Sequence, residues 1–196
     1  MTDLAVRPAA RAPRARRGIP TARNVDHVAY TVTDLERAVA FFVDVLGGEL
    51  VYREGPIARE DDWMAERLDV HPRAVADIAM IRLGPTCNVE LFQYTAPGQN
   101  PVPPRNHDVG GHHLAIAVED IEAAVAYLGA QPGVEILGGP ETIEEGPIAG
   151  NRWTYARTPV GITLELLAIP DGSLPYERET SARRYAGEPD GWYGRR

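Results

Sequence analysis

One segment of this chain occurs twice. Residues 27–42 and 113–128 align without a gap, so that His27 and Asp34 of the first copy correspond to His113 and Asp120 of the second. With 196 residues, the chain is long enough for two small modules that share a core. The copies are too far apart for a solenoid repeat. The sequence therefore predicts two similar modules in tandem.

Each copy has the pattern of a strand, a helix and three further strands. β-branched residues open the strand, an aspartate follows as a helix N-cap, and apolar residues then recur at helical spacing. The predicted strands are 25–33, 49–53, 75–83, 89–94, 112–118, 134–137, 152–157 and 162–169, and the predicted helical segments are 35–46, 63–68 and 121–128. The order βαβββ, repeated, predicts an α+β fold in which the helices lie on one side of a curled mixed sheet.

The repeat also suggests where the modules begin and end. We expect a disordered basic tail over 1–23, a first βαβββ module over 24–95, a proline-rich linker over 96–110 and a second βαβββ module over 111–170. Residues 171–196 form a C-terminal tail, in which Leu174–Glu177 could fold back over a cavity mouth.

Charge and composition restrict the class of protein. Six arginines and one acid precede Asn24, a charge of about +5, so the remaining body carries about −13. Nucleic acid is therefore not expected as the main partner. The basic start has no apolar stretch long enough for a signal peptide or membrane anchor, and the single cysteine, Cys87, suits a reducing cytoplasm. The chain has no lysine, which excludes Schiff-base chemistry.

Two histidines and two glutamates occupy equivalent places in the copies. Side chains alternate between the faces of a strand, so His27 and His113 point away from the face that packs on the helix. Glu90 and Glu165 lie in the middle of apolar strands, where an ionised carboxylate is costly unless it is paired or bound to a metal. A lone His or Glu of this kind is usually structural, whereas four in matched positions favour a metal site.

The other histidines have plainer interpretations. His112 falls on the opposite face from His113 and is expected to be structural. His71 and His107 lie in polar, irregular stretches and are expected to face solvent. Cys87, at the start of a strand, is expected to be a small buried residue rather than a nucleophile.

These motifs, in this order, resemble the vicinal oxygen chelate superfamily. The similarity covers about Asn24 to Pro170 and includes the strand with His27, the helix that starts at Asp34, the strand with Glu90, the Gly111-His-His-Leu-Ala motif and the last strand with Glu165. The superfamily includes glyoxalase I, methylmalonyl-CoA epimerase, extradiol dioxygenases, fosfomycin-inactivating transferases and bleomycin-binding proteins. The resemblance implies that both modules curl around one metal site.

The resemblance also implies a ligand set and a type of chemistry. His27, Glu90, His113 and Glu165 would hold one divalent ion (Zn, Ni, Co, Mn or Fe), as in the glyoxalase I and epimerase branches, which use four ligands. A substrate with two adjacent oxygens would chelate the ion, which would stabilise an enediolate, while Glu165 or Glu90 moves the proton. Two alternatives stay open, an Fe(II) extradiol-type dioxygenase with three ligands and an antibiotic-binding module without catalysis.

Residues that contact the substrate are less clearly indicated. Candidates on the predicted strands are Met80, Arg82, Phe92, Trp153 and Tyr155. The apolar members could equally be core residues, and Arg82, Arg152 and Arg157 could each form a structural ion pair. The substrate is expected to be a small molecule with adjacent oxygen atoms. Several superfamily members are dimers, so the chain is expected to be a cytoplasmic homodimer that binds neither nucleic acid nor a membrane.

Overall fold

The computed structural model describes residues 19–22, 24–85 and 87–184. The predicted basic tail therefore lies almost entirely outside the described residues, and so does the end of the predicted C-terminal tail. The described part contains eight strands, which are β1 (Val28–Thr31), β2 (Glu49–Ile57), β3 (Val75–Leu83), β4 (Cys87–Thr95), β5 (His113–Ala117), β6 (Glu135–Thr142), β7 (Arg152–Arg157) and β8 (Thr163–Ala168).

The strands form two sheets of the same topology. The first has the order β1-β4-β3-β2 and the second has the order β5-β8-β7-β6. In each sheet the first and last strands of the module pair in parallel, and the other neighbours pair antiparallel. The predicted α+β fold of two βαβββ modules is thus confirmed. The two sheets are not closed on each other into a single sheet.

The helices begin where the two aspartates predict. Helix α1 (Leu35–Ala40) is capped by Asp34 and continues as a π-helical turn (Phe41–Val45), while α3 (Ile121–Gly129) is capped by Asp120. Each cap has an extended backbone, and its carboxylate accepts a bond from the backbone N–H three residues later. These bonds satisfy N–H groups that have no partner within the helix. A short helix α2 (Trp63–Leu68) and a 3₁₀ turn (Pro175–Arg178) complete the structure.

Two glycines end the first helix. Gly47 has φ 72°, the left-handed conformation that favours glycine after a helix. Gly48 lies so close to β3 that a Cβ on it would be 2.7 Å from Ile81 Cγ2 and 2.9 Å from Phe42 O. These positions let β2 leave the helix without a loop.

The core contains residues of both modules. One side of each helix packs on its own sheet, and the buried residues of the two modules form one apolar cluster that includes Phe42, Leu91, Ile121 and Leu164. The modules also meet through polar groups, since Tyr127 Oη donates to Val45 O at 3.0 Å.

The structure differs from the sequence predictions mainly at strand ends. β1 is shorter than predicted, β2 runs on to Ile57 and β6 runs on to Thr142. Val28 is 44% exposed because it stands at the open edge of its sheet. The predictions for β3 and β7 agree with the structure residue for residue.

No helix in the described residues combines the length and the apolar character needed to span a membrane.

The N-caps provide a first test of this fold. Asp34→Ala leaves the Arg37 N–H without its cap, so the free energy of unfolding should fall by about 1 kcal/mol. Asp34→Asn keeps an oxygen acceptor and should stay close to the wild type. Urea denaturation of the three proteins measures both effects. Equal stability of the alanine and asparagine variants would contradict the role of Asp34 as a cap.

Candidate metal centre

The first His–Glu pair lies on the face of its sheet that is turned away from the core. β1 and β4 pair in parallel with Ala29 opposite Glu90, and His27 precedes Ala29 by two residues. His27 and Glu90 therefore point to the same side. His27 Nε2 lies 3.3 Å from Glu90 Oε2.

The second module repeats this geometry. Ala115 is opposite Glu165 in the parallel pairing of β5 and β8, and His113 precedes Ala115 by two residues. His113 Nε2 lies 3.1 Å from Glu165 Oε2. The repeat in the sequence thus becomes a repeat of a His–Glu pair.

Core packing fixes the direction of both carboxylates. Val89 and Leu91 are fully buried on either side of Glu90, and Leu164 and Leu166 have the same relation to Glu165. Because neighbouring residues of a strand alternate, each glutamate must point to the opposite face. The side chain of Glu90 is 14% exposed and that of Glu165 is 18% exposed.

The four side chains do not form a single cluster. The part of the chain that the structure describes contains no group of three or more His, Cys, Asp or Glu side chains that could hold a metal ion. The structure brings the predicted ligands together in pairs, His27 with Glu90 and His113 with Glu165. We call each of these two His–Glu pairs a half-site.

The chemistry of each half-site fits a divalent ion. Two ligands at adjacent corners of an octahedron or tetrahedron, with bonds of about 2.1 Å, lie roughly 3 to 3.5 Å apart. The N···O distances of 3.3 and 3.1 Å match this separation. A neutral imidazole and a carboxylate also suit a borderline metal such as Zn or Ni.

Asp26 is a functional candidate that sequence reasoning missed. Its Oδ1 lies 2.9 Å from His27 Nδ1, on the side of the ring opposite Glu90. This hydrogen bond raises the pKa of His27, against a smaller lowering by burial. It also places the Nδ1 proton and leaves Nε2 free to bind a ligand. An acid directly before a candidate ligand histidine was the available signal.

Aromatic residues surround the second pair. Tyr155 is opposite Glu165 in the β7–β8 pairing, and its ring centroid lies 5.2 Å from that of His113 and 5.2 Å from that of Trp153. Burial raises the pKa of Tyr155, and the charge of Glu165 adds to this effect. Tyr155 therefore keeps its proton at neutral pH and can donate a hydrogen bond.

The face of the first sheet that carries Glu90 also contains aromatic residues. Met80 takes the place of Tyr155, opposite Glu90, and Tyr52 is the next residue in the row. Phe92 and Tyr94 stack on the same face with their centroids 5.3 Å apart. All five predicted substrate residues, Met80, Arg82, Phe92, Trp153 and Tyr155, thus share faces with the glutamates.

Arg82, the arginine among the predicted substrate residues, forms an ion pair with another residue. Arg82 Nη2 lies 2.7 Å from Glu49 Oε2. Arg152 pairs with Glu122 and Arg157 pairs with Glu135, at 2.5 and 2.8 Å. All three side chains are more than a third exposed, so these contacts correspond to the structural ion pairs that the sequence left open.

The remaining histidines and the cysteine lie outside the two pairs. His112 contacts the Tyr30 ring, with centroids 4.8 Å apart. His71 Nδ1 accepts from the Arg73 N–H at 3.0 Å, and His107 lies 3.7 Å from Asp108. Burial raises the pKa of Cys87, which makes its thiol a poor nucleophile.

Asn151 is a second residue that sequence reasoning missed. It directly precedes β7 and is fully buried, and neither amide atom of its side chain has a hydrogen-bond partner in the described structure. A buried polar group without a partner costs about 1–3 kcal/mol. No local sequence pattern predicts this burial.

A cavity of about 420 Å³ lies beside the start of α1, away from both pairs. Its polar lining includes Arg53, Asp77 and Gln93. Arg53 is bound to Glu36, and Gln93 Oε1 accepts from the Leu35 N–H at 2.7 Å. The cavity contains none of the predicted ligands.

The chain matches a known superfamily. The model of the Glyoxalase/Bleomycin resistance protein/Dioxygenase superfamily matches residues 26–155. The chain belongs to this superfamily, as the sequence motifs predict.

Individual relatives show which members of the superfamily this chain is similar to. The chain is 56% identical over 175 residues to a 2-epi-5-epi-valiolone epimerase from Actinomyces sp., covering 89% of this chain and 93% of the relative. A glyoxalase family protein from Bacillus cereus has the same fold, with a TM-score of 0.57, 23% identity and coverage of 77% and 98%. The trypanothione-dependent glyoxalase I of Leishmania major matches with a TM-score of 0.50, 20% identity and coverage of 75% and 87%.

The contact between Asp26 and His27 can be tested without any metal. Asp26→Asn should lower the pKa of His27, since the hydrogen bond to Asp26 is the largest cause of its rise. The pKa of His27 is higher in the folded protein than in the unfolded protein. The contact with Asp26 therefore stabilises the fold at pH values below the ordinary histidine pKa, and this stabilisation is lost as the pH rises through the pKa of the folded protein. NMR titration of metal-free protein measures the change. Asp44→Asn, which removes an exposed acid, is the control, and an equal shift in both variants would contradict the assignment.

Proposed function

We propose that this chain is a metal-dependent epimerase that acts on a small ketone with adjacent oxygen atoms. The observation that carries the proposal is the pair of matched half-sites, in which each module offers one imidazole nitrogen and one carboxylate oxygen at the spacing of two ligands on one ion. The 56% identity to a 2-epi-5-epi-valiolone epimerase supports epimerisation rather than another reaction of the superfamily.

The proposed ligands of the single ion are His27, Glu90, His113 and Glu165. A four-ligand site requires the two half-sites to come together around the ion. The positive charge of the ion would then offset the free-energy cost of holding two carboxylates beside an apolar sheet. When bound, the ion would supply Lewis-acid stabilisation of negative charge on the substrate oxygens and leave open positions for them.

The chain's own residues account for the proton transfer. Epimerisation next to a carbonyl breaks a C–H bond on one face of the carbon and forms a new C–H bond on the other face. The carboxylate of Glu165 or Glu90 takes the proton, and the glutamate of the other half-site, in its carboxylic acid form, delivers a proton to the opposite face. Proton exchange with solvent then restores both groups. Tyr155, beside Glu165 and still protonated, can donate a hydrogen bond to a substrate oxygen.

Surrounding residues orient the reacting groups and exclude water. Asp26 holds the His27 ring with Nε2 directed at Glu90. Met80, Phe92 and Trp153 supply apolar surface beside the carboxylates, which strengthens electrostatic interactions in the site. The homodimer expected from the sequence stays a prediction, as do the extradiol-type dioxygenase and the antibiotic-binding module as alternatives.

The test is epimerisation in D₂O by protein of known metal content. Wild type incubated with 2-epi-5-epi-valiolone should invert one centre and incorporate deuterium there, with about one metal ion per chain. Glu90→Gln and Glu165→Gln should each lower kcat by about 10²–10⁴-fold, because each removes a carboxylate that carries the proton. NMR spectroscopy follows both inversion and exchange, and elemental analysis gives the metal content.

Two controls make this test specific. Glu135→Gln removes a carboxylate of the second module that is bound to Arg157, and it should retain turnover and metal. Chelation should abolish turnover and added metal should restore it. Full activity in either Glu90→Gln or Glu165→Gln, or unchanged activity after the metal is removed, would overturn the proposal. Oxygen uptake with catechols would favour the dioxygenase instead.

A further inference from the structure

We propose that residues 170–178 form a lid over Asn151, and that the Asn151 amide binds a hydroxyl group of the substrate when this lid opens. The proposal rests on the proposed function for the identity of the substrate. The lid and the unpaired amide are independent of it.

Asn151 is the starting observation. The residue is 0% exposed, and neither Nδ2 nor Oδ1 has a partner in the described part of the chain. Since both atoms are almost inaccessible to water, the closed arrangement leaves no room for a bridging water molecule. The closed lid therefore holds two hydrogen-bonding groups in an unfavourable state, which opening relieves.

The lid is attached by a small number of contacts. Leu174 is 3% exposed and anchors the segment, while the Tyr176 N–H donates to Pro147 O at 3.0 Å. Pro170 packs near Gly150, where a Cβ would lie 3.2 Å from the proline ring. Among the described residues, one backbone hydrogen bond joins this segment to the body of the protein, so we expect it to open more readily than a core element.

Two buried side chains support a position of the lid on the face of the sheet that carries the second half-site. Leu167 and Leu174 are buried but do not belong to the main apolar core. Leu167 follows Glu165 by two residues and pairs with Trp153 across the β7–β8 ladder, so both lie on the face of Glu165. Asn151 directly precedes β7, two residues before Trp153.

Distance and chemistry indicate the ligand group. Asn151 is four residues from Tyr155, which is opposite Glu165, so the amide is roughly 13 Å along the strand from the half-site. A polyhydroxylated ring held at the half-site, with a hydrogen bond at its far end, is of comparable length. An amide donates and accepts at once, which matches a hydroxyl group and distinguishes it from a carboxylate or phosphate.

Asn151→Leu tests the proposal, because leucine has a similar volume and no polar atoms. The unfolding temperature should rise by several degrees, as the variant no longer buries unpaired groups. Hydrogen exchange of the Tyr176 amide should slow by about tenfold, because the lid then closes without that cost. KM for the ketone should rise about tenfold or more while kcat changes less than about twofold.

The matched control is Asn88→Leu. Asn88 Nδ2 donates to Asp26 O at 2.9 Å, so this variant loses a formed hydrogen bond and should have a lower unfolding temperature. If the unfolding temperature of Asn151→Leu falls as that of the control does, the Asn151 amide stabilises the fold and the proposal is overturned. Unchanged exchange at Tyr176 would overturn the lid.

The outcomes also separate this proposal from the proposed function. A wild type without epimerase activity contradicts the proposed function, whereas unfolding temperature and hydrogen exchange still decide the lid and the unpaired amide. An active wild type in which Asn151→Leu leaves KM unchanged contradicts the substrate contact alone.

Discussion

The alternation of side chains in β4 and β8 is the constraint on which the rest of the site depends. Glu90 lies between Val89 and Leu91, which are held in the core, so its carboxylate cannot turn inward without unpacking two buried residues. Glu165 is held in the same way in the second module. Helix packing on one face of each sheet thereby fixes the acids on the other face, and parallel pairing with the edge strands sets the histidines beside them.

The two faces of the sheets therefore have different physical roles. The helix-bearing faces supply stability through a common apolar core that links the modules. The opposite faces carry small residues such as Ala29 and Ala115, which leave room above the acids. Carboxylates at this boundary are partly removed from water and have few fixed positive neighbours, since Arg82 and Arg157 are bound to surface acids. An environment of this kind favours a cation over a packed side chain.

Local patterns were sufficient for much of the fold and for the pairing of the candidate ligands. Asp34 and Asp120 marked helix starts, and the repeat with strand alternation placed each histidine on the side of its glutamate. The extension of β2 to Ile57 and the exposure of Val28 depend on sheet edges, which periodicity does not encode. Asn151 was missed for a related reason, because burial of a residue outside the strands depends on tertiary packing. The separation of the two His–Glu pairs within the described residues also depends on tertiary structure, which local patterns do not encode.

The asymmetry between Asp26 and His112 has a consequence for the duplicated architecture. These residues precede the paired histidines at equivalent positions, yet Asp26 binds the ring of His27 whereas His112 contacts Tyr30. A site assembled from two copies of a single short module would have the same residue before both histidines, because any substitution would appear in both halves. When two modules are linked in one chain, each can change separately. One imidazole can then be held in a fixed tautomer without the same constraint on the other, so a nearly symmetric site can bind an asymmetric molecule in one orientation.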